Sequence, residues 1–363
     1  MLMQFLLFIA GLVALVLGAS WLVRGASKLA LSFGISPLVV GLTIVAFGTS
    51  APEMAVSTGA VLNGQTDIAV GNVVGSNIFN VLFILGISAM VAPLIVHVQL
   101  IRQEVPIMIG SALLLVALGL DGMLSRWDGA LLLVLVVAYT VFLIVQSRRE
   151  SSASTAEFDA ELQPSTPNAW DGKWPAQVAL IVIGLVLLVL GSDWLVSASV
   201  VFAKALGVSD LVIGLTIVAA GTSMPEVATS LTAAFKGERD IAVGNVVGSC
   251  TFNLLGCLGL SAVASGALGL PLAPSILSFD LWVMLAALLA CLPVFVSGRE
   301  IARWEGGVFL AYYVAYVAYM ILASQQHDAL AGFSTVMLSF VLPLTIITFV
   351  VALMRDKPAV PHG

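Results

Sequence analysis

The sequence predicts an all-α polytopic membrane protein in which two inverted repeats of five helices form a ten-helix core, with one extra helix at the C-terminal end. Three observations predict it: the composition, a series of long apolar runs and an internal repeat. Of the 363 residues, 60% are hydrophobic and 9% are charged, and the mean hydropathy is +1.11. Soluble domains carry about 25% charged residues. The chain therefore lacks the charge needed to cover a water-facing surface.

The apolar runs recur from one end of the chain to the other, and most reach the roughly 20 residues that a helix needs to cross a bilayer. They do not alternate apolar and polar residues, as the strands of a membrane barrel would. Because open sheet edges are not tolerated in lipid, we read the runs as helices. The eleven predicted spans are 2–28, 36–62, 68–92, 103–120, 128–146, 176–203, 209–235, 240–264, 279–297, 304–323 and 333–354.

One polar segment, 147–175, interrupts the series and is rich in serine. Such a composition is typical of a linker. It divides the chain into a first five-helix half (1–146), a linker, a second five-helix half (176–323) and a C-terminal region (324–363) that holds the extra helix.

Lysine and arginine predict the orientation, because cytoplasmic loops of membrane proteins are enriched in both residues. If the N-terminus lies outside and each span crosses the bilayer, twelve of the fourteen basic residues fall on the inner side. The linker and the C-terminus are then cytoplasmic. Without a basic tract, the chain has no feature of a nucleic-acid-binding protein. The predicted partner is the lipid bilayer, and the sequence predicts no oligomeric state.

The internal repeat consists of two pairs of matching segments. Residues 41–53 (GLTIVAFGTSAPE) match 214–226 (GLTIVAAGTSMPE) at eleven of thirteen positions, and 67–80 (DIAVGNVVGSNIFN) match 240–253 (DIAVGNVVGSCTFN) at twelve of fourteen. Both pairs are offset by 173 residues, and the repeated regions extend over about 36–92 and 209–264. Because each half has an odd number of spans, the second half enters the membrane in the opposite orientation. Inverted repeats place substrate and ion sites near the bilayer midplane, where the halves meet.

Two acids, Glu53 and Glu226, occupy equivalent positions inside predicted spans. An acid at the centre of a span costs roughly 2.5–3.5 kcal/mol on insertion scales, so intramembrane acids are candidates for function. No lysine or arginine lies within the membrane to neutralise them. The pair therefore predicts a bound cation or bound protons.

The residues that precede each glutamate have the character of hard-cation ligands. Thr49 and Ser50 come one turn before Glu53, and helical spacing lets the three side chains gather near one face. Pro52 has no N–H, so it leaves the carbonyl of Gly48 without its helical partner. In the second half Thr222 and Ser223 precede Glu226, and Pro225 does the same to Gly221. Broken helices at this depth are tolerated where they line a site.

The following spans supply a polar stripe in each half, since three polar residues recur there every four positions. Ser76 and Asn80 in the first half, and Ser249 and Asn253 in the second, are predicted to reach the ion. The first members of the stripes, Asn72 and Asn245, can either bind the ion or form hydrogen bonds between helices. Asp67 and Asp240 begin their spans, and we expect them to cap the helices.

The predicted ligands are all oxygen atoms: carboxylates, hydroxyls, amides and backbone carbonyls. Calcium takes 6–8 oxygen ligands in flexible geometry, and sodium accepts the same groups. We therefore expect these ions to be transported, and we expect no cofactor. Manganese, magnesium or protons remain alternatives at this stage.

The paired GTSxPE and GNxxGS blocks, in two halves of five spans, resemble the repeats of the cation/calcium exchanger superfamily, and most closely its prokaryotic sodium/calcium exchanger-like branch. The similarity covers residues 1–323. It implies sodium/calcium antiport by alternating access, a location in the prokaryotic inner membrane, and gating by the first and sixth spans. It also implies ion ligands at the backbone carbonyls of Ala46 and Ala219 and at ten side chains. These are Glu53, Glu226, Thr49, Ser50, Thr222, Ser223, Ser76, Asn80, Ser249 and Asn253.

Two departures from the family pattern bear on ion specificity. Cys250 and Thr251 replace a common Asn-Ile pair, and Asn80 and Asn253 are both amides where some members have an acid. These departures leave the ion stoichiometry and any potassium requirement open. Two competing functions keep the same fold: proton-coupled antiport of calcium or another divalent cation, in which the buried glutamates carry the protons, and a cation channel, which the broken helices would permit. An enzyme is disfavoured because the loops offer no paired nucleophile and base.

Overall fold

The computed structural model describes residues 2–158, 173–206 and 219–354, and these form a helical bundle. Within these ranges, nine helices are long and apolar enough to cross a membrane, and a bent pair makes a tenth span. The helical membrane fold predicted from the sequence is therefore confirmed. The nine helices are Leu2–Phe33, Thr66–Val91, Leu100–Leu118, Arg126–Ser147, Trp174–Ala205, Arg239–Ala264, Ile276–Val296, Arg303–Ser324 and Ala329–Thr348.

The bent pair is the second predicted span, in which Pro37–Thr49 and Ala51–Leu62 meet at 41°. The seventh predicted span is described from residue 219 onward, as the short helix Ala219–Gly221 followed by Met224–Phe235. The first ten residues of that span, 209–218, lie outside the described residues.

The fifth span, Arg126–Ser147, agrees with the predicted 128–146, but the helix that contains it is longer. Its helix does not end near residue 146 but runs from Arg126 to Phe158, into the segment assigned to the linker. Residues 147–158 contain neither glycine nor proline, and serine, alanine, arginine and glutamate all tolerate helical geometry. Most of the remaining linker, 159–172, falls outside the part of the chain that the structure describes.

The first helices of the two halves, Leu2–Phe33 and Trp174–Ala205, pack side by side along a glycine seam. Gly11 lies opposite Gly191 and Gly18 opposite Gly184, so closely that a Cβ on Gly11 would come within 2.8 Å of the Gly191 carbonyl oxygen. Small residues permit such close contact between helices in membranes. Each pair is the image of the other under the repeat, so the seam preserves the symmetry of the halves.

Two short antiparallel ribbons also join the halves. Leu94–Ile95 pairs with Glu300–Ile301, and Met123–Leu124 pairs with Leu270–Pro271. In each ribbon one strand comes from the first half and the other from the second. The ribbons therefore tie together the ends of spans that are distant in sequence.

The helices that carry the repeated motifs lie at the centre of the bundle. In the apolar window of Arg239–Ala264, 89% of the residues are buried, and in that of Thr66–Val91 78% are, whereas none are buried in Ala329–Thr348. The extra C-terminal helix thus lies on the outside of the bundle, where Tyr312 Oη donates a 2.7 Å hydrogen bond to Thr345 Oγ1.

The capping predicted for Asp67 and Asp240 is wrong. The helices begin at Thr66 and Arg239, and both aspartates lie in the first turn rather than at the N-cap. In that position a carboxylate still interacts favourably with the N-terminal end of the helix dipole.

Candidate ion-binding site

The two halves contain the same break in the same motif. Ser50 has φ −81° and ψ 3°, and Ser223 has φ −90° and ψ 9°, so both leave helical geometry just before a new helix begins. A proline, Pro52 or Pro225, occupies the first turn of that new helix, where its missing N–H is tolerated. Each break thus presents a hydroxyl one turn ahead of a glutamate.

The breaks exchange partners across the centre of the bundle. Ser50 Oγ of the first half donates to Glu226 Oε1 of the second half at 3.1 Å. Ser223 Oγ of the second half donates to Glu53 Oε1 of the first half at 2.8 Å, and it also lies 3.2 Å from Ser76 Oγ. All four serine and glutamate side chains at the breaks are completely buried. The structure therefore brings the two predicted acids and their serines into one cluster.

Each glutamate keeps one oxygen without a hydrogen-bond partner. Among the described residues, nothing donates to Glu53 Oε2 or Glu226 Oε2. Buried polar atoms without partners are rare and costly. Two such oxygens on neighbouring carboxyl groups are the atoms that a cation or proton would satisfy.

The two threonines of the breaks bond to the asparagines that begin the polar stripes. Thr49 Oγ1 donates to Asn245 Oδ1 at 3.1 Å, and Thr222 Oγ1 donates to Asn72 Oδ1 at 3.2 Å. Of the two roles left open for Asn72 and Asn245, the structure displays hydrogen bonding between helices. Thr49 and Asn245 are completely buried, whereas Thr222 and Asn72 are half-buried.

The amide nitrogens of these asparagines bond to serines that sequence analysis did not single out. Asn72 Nδ2 donates to Ser57 Oγ at 3.0 Å, and Asn245 Nδ2 donates to Ser230 Oγ at 2.9 Å. Ser57 and Ser230 differ by the repeat offset of 173 and follow the glutamates by four residues. That spacing was the signal that could have found them.

The other four polar side chains of the stripes are buried in the same region. Asn80 and Asn253 lie in segments of π-helix, Phe79–Leu85 and Asn253–Cys257. Such segments often mark functional sites, because the wider turn frees backbone groups and redirects side chains. Among the described residues, the Ser249 hydroxyl, both ends of the Asn80 amide and Asn253 Nδ2 have no partner at hydrogen-bonding distance.

The thiol of Cys257 is a neighbour of the site that the sequence did not predict. Cys257 Sγ donates to Asn253 Oδ1 at 3.3 Å, and the side chain is completely buried. The equivalent position in the first half is Ile84. Because the repeat is broken here, motif comparison could not reveal the contact.

The two backbone carbonyls predicted to bind the ion are those of Ala46 and Ala219. The Ala46 carbonyl already accepts from Ser50 N at 3.0 Å and from Thr49 Oγ1 at 3.3 Å. Ala219 begins a short helix directly after residues that the structure leaves undescribed. The Gly221 carbonyl, which Pro225 leaves without its helical partner, accepts a 2.6 Å hydrogen bond from Ser192 Oγ of another helix.

Among the described residues, three further buried acids, Glu104, Asp280 and Glu305, lie outside this cluster. Glu104 accepts hydrogen bonds from Gln99, Gln103 and Tyr139, the last at 2.7 Å from the tyrosine hydroxyl. Asp280 accepts from Tyr316 Oη at 2.9 Å. Donors therefore account for Glu104 without an ion, in contrast to Glu53 and Glu226.

In the described ranges no group of three or more His, Cys, Asp and Glu side chains could hold a metal. Any ion at the site would therefore need hydroxyl and amide oxygens in addition to the two carboxylates.

The fold and the site define a helical membrane transporter with a symmetric, oxygen-lined centre. The chain belongs to the sodium/calcium exchanger family: the family model described as "Sodium/calcium exchanger protein" matches residues 3–145 and 176–322. This family comprises cation/calcium exchangers rather than enzymes, as the resemblance of the motifs predicted.

Individual relatives agree with this assignment. The chain is 40% identical to the putative antiporter CaxA of Alkalimonas amylolytica over 334 residues, which are 89% of this chain and all of the relative. It is 34% identical to the sodium/calcium exchanger MaX1 of Methanosarcina acetivorans, with 86% of this chain and 97% of MaX1 covered. Identity to the inner membrane protein YrbG of Escherichia coli is 40%, with 72% of this chain and 80% of YrbG covered.

A solved structure is similar over the same region. The sodium-calcium exchanger NCX_Mj, soaked with Na+ and Sr2+, aligns with a TM-score of 0.74 and 30% sequence identity. The alignment covers 87% of this chain and 98% of NCX_Mj. The shared fold therefore extends over almost the whole of that exchanger.

Proposed function

We propose that this protein is a secondary antiporter that exchanges calcium for sodium by alternating access, at a site built around Glu53 and Glu226. The observation that carries the proposal is the crossed arrangement of the two acids. Each carboxyl is held by a serine of the opposite half, and each keeps one fully buried oxygen without a partner among the described residues.

The chemistry of the ligands favours calcium and sodium. Two ionised carboxylates balance one divalent cation, and the neighbouring oxygens can complete the 6–8 ligands that calcium takes. Magnesium demands near-ideal octahedral geometry and gives up its water reluctantly, so a flexible set of mixed oxygens suits it less well. The proposed ligands are Glu53, Glu226, Thr49, Ser50, Thr222, Ser223, Ser76, Asn80, Ser249 and Asn253, together with the carbonyls of Ala46 and Ala219.

Competition for the same charge gives exchange without a separate coupling device. When calcium leaves, Glu53 and Glu226 become two buried negative charges close together, which is unfavourable in a medium of low dielectric constant. Sodium ions that enter the site relieve this repulsion. The unloaded site is therefore the least stable state, and the protein changes conformation most readily when one of the two ions is bound.

Alternating access is supported by a difference between the two sides of the site. With the N-terminus outside, the Thr49–Asn245 pair lies toward the cytoplasm, and both residues are completely buried. On that side Lys236 Nζ also donates to the Ser20 carbonyl of the first helix at 3.0 Å. The Thr222–Asn72 pair lies toward the outside and is half-buried. We infer that the site is sealed from the cytoplasm in this state, in a protein of the prokaryotic inner membrane.

The experiment that tests the proposal is calcium uptake into liposomes that contain the purified protein. The vesicles are loaded with sodium and diluted into sodium-free buffer at constant pH. Uptake of radioactive calcium that requires the sodium gradient, and that is lost in Glu53→Gln, is the expected result. Glu104→Gln is the matched control, because it changes an equally buried acid outside the site and should leave the uptake in place.

The competing functions give different results in the same vesicles. Uptake that ignores sodium but is driven by an acidic interior would establish proton-coupled antiport at the same site. Calcium flux without either gradient, proceeding down its own concentration difference, would indicate a channel. Normal uptake in both Glu53→Gln and Glu226→Gln would show that the site has been assigned to the wrong residues.

A further inference from the structure

The break in the second half is held by a side chain from outside the repeated motifs. Pro225 has no N–H, so the Gly221 carbonyl lacks the partner that it would have in a regular helix. Ser192, which belongs to the helix Trp174–Ala205, fills this role: its Oγ donates to the Gly221 oxygen at 2.6 Å. A buried carbonyl without a partner is unfavourable. The serine therefore stabilises an otherwise unfavourable break.

The hydrogen bond from Ser192 lies directly beside two of the proposed ion ligands. Gly221 is followed directly by Thr222 and Ser223, whose hydroxyls donate to Asn72 Oδ1 and Glu53 Oε1. Both residues lie in the turn between the short helix Ala219–Gly221 and the next helix, Met224–Phe235. Fixing the Gly221 carbonyl therefore fixes the backbone that aims both hydroxyls.

The first half has no equivalent of this bond. The repeat offset of 173 pairs Ser192 with Ala19, which is completely buried and has no hydroxyl. Four of the six residues around this position are the same in the two halves, since GASWLV at 18–23 corresponds to GSDWLV at 191–196. The hydroxyl at position 192 is thus a departure from the repeat at a position that touches the site.

We propose that Ser192 is a positioning residue for ion binding. Its hydrogen bond to the Gly221 carbonyl holds Thr222 and Ser223, at the break within the seventh span, in the geometry that the cation requires. The inference rests on the proposed function, because it assumes that these hydroxyls serve the ion site. Through this hydrogen bond the sixth span contacts the segment that carries the proposed ligands of the second half. The first span cannot make the same bond in the first half, because Ala19 has no hydroxyl.

The test compares two substitutions of equal shape. Ser192→Thr keeps the hydroxyl and Ser192→Val replaces it with a methyl group, so any crowding by the larger side chain is common to both. In sodium-loaded liposomes, Ser192→Val should raise the KM for calcium about two- to tenfold relative to Ser192→Thr, which corresponds to the usual net contribution of one hydrogen bond. The maximal rate should differ between the two by less than about twofold.

Ser199→Ala is the control for the loss of a serine on the same helix, because Ser199 Oγ bonds only to its own helix, at Leu195 O. It should leave the KM unchanged, whereas Ser192→Ala should raise it. Equal KM values for Ser192→Thr and Ser192→Val, with both proteins folded, would overturn the inference while leaving the loss of transport in Glu53→Gln intact. Failure of the wild-type protein to transport calcium would instead refute the proposed function.

Discussion

The two halves of this protein share their motifs almost residue for residue, yet the same residues lie in different surroundings. The crossed serine–glutamate bonds occur in both directions, so the repeat sets up the chemistry of the site symmetrically. The threonine–asparagine pairs on either side of it are not equivalent, since one is completely buried and the other half-buried. Matching chemistry at the centre and unequal packing around it are what the proposed alternating-access mechanism needs, because in that mechanism only the packing has to change between states.

The residues that differ between the halves lie around the site rather than within it. Lys236, which bonds to the first helix, corresponds to Asn63, which bonds to its own helix at Gly59 O. Ser192 corresponds to Ala19, and Cys257 to Ile84. Duplication thus explains why the proposed ion ligands match, while the divergence of their neighbours explains why the surroundings of the two halves differ.

The largest effect is expected from the acids themselves. Glu53→Gln and Glu226→Gln each keep the shape of the side chain but remove one of two buried charges. Removing one partner of a buried charge interaction costs about 3–5 kcal/mol, so calcium transport should fall by about a hundredfold or more in each variant. Initial rates of calcium uptake measure the loss. A large effect in one variant only would show that the two carboxylates do not share one ion.

The crossed serines should give the next largest effect and sharpen the comparison. Ser223 bonds Glu53 at 2.8 Å and also contacts Ser76, whereas Ser50 bonds Glu226 at 3.1 Å. Hydrogen bonds to charged groups contribute about 1.5–3 kcal/mol. We therefore expect Ser223→Ala to raise the KM for calcium by about ten- to a hundredfold, and Ser50→Ala by less.

Ser111→Ala serves as the control for the serine series. The Ser111 hydroxyl bonds only to its own helix, at Ile107 O, so its removal should not alter the KM. A larger rise in KM for Ser50→Ala than for Ser223→Ala would contradict this expectation. It would mean that Ser50 holds Glu226 more strongly than Ser223 holds Glu53.

The smallest effect concerns stability and tests the difference in burial. Thr49→Val leaves Asn245 Oδ1 buried without its donor and should lower the free energy of unfolding by about 1–3 kcal/mol. Thr222→Val should cost less, because Asn72 is half-buried and water can replace the lost hydroxyl. Thermal unfolding of the purified variants in detergent compares them. Equal losses for both would mean that the two sides of the site are equally closed.

The sequence was sufficient for the features that depend on composition and repetition. Long apolar runs predict helices wherever they occur, and an odd number of spans before the repeat predicts the inversion. The intramembrane acids are conspicuous because they are unfavourable, and the proline after each serine marks the break. These signals are local, so Glu53, Glu226 and their flanking hydroxyls could be named without coordinates.

Other features depend on which helices become neighbours, and the sequence could not supply them. The crossing of Ser50 to Glu226 requires the two breaks to face each other, and the bond from Ser192 joins residues that are 29 positions apart. The first-turn positions of Asp67 and Asp240 were missed because helix ends are poorly marked by a single acid. The helix through residue 158 was missed because a polar segment can be helical without being buried.

The central claim is that Glu53 and Glu226 form one site at which sodium and calcium compete. Equilibrium binding of radioactive calcium to the purified protein tests it most directly, with sodium added in one series and choline at equal ionic strength in the other. We predict saturable calcium binding that sodium displaces and choline does not, and that is lost in Glu53→Gln and in Glu226→Gln. Calcium binding that is unaffected by sodium, or that persists in both variants, would contradict the claim.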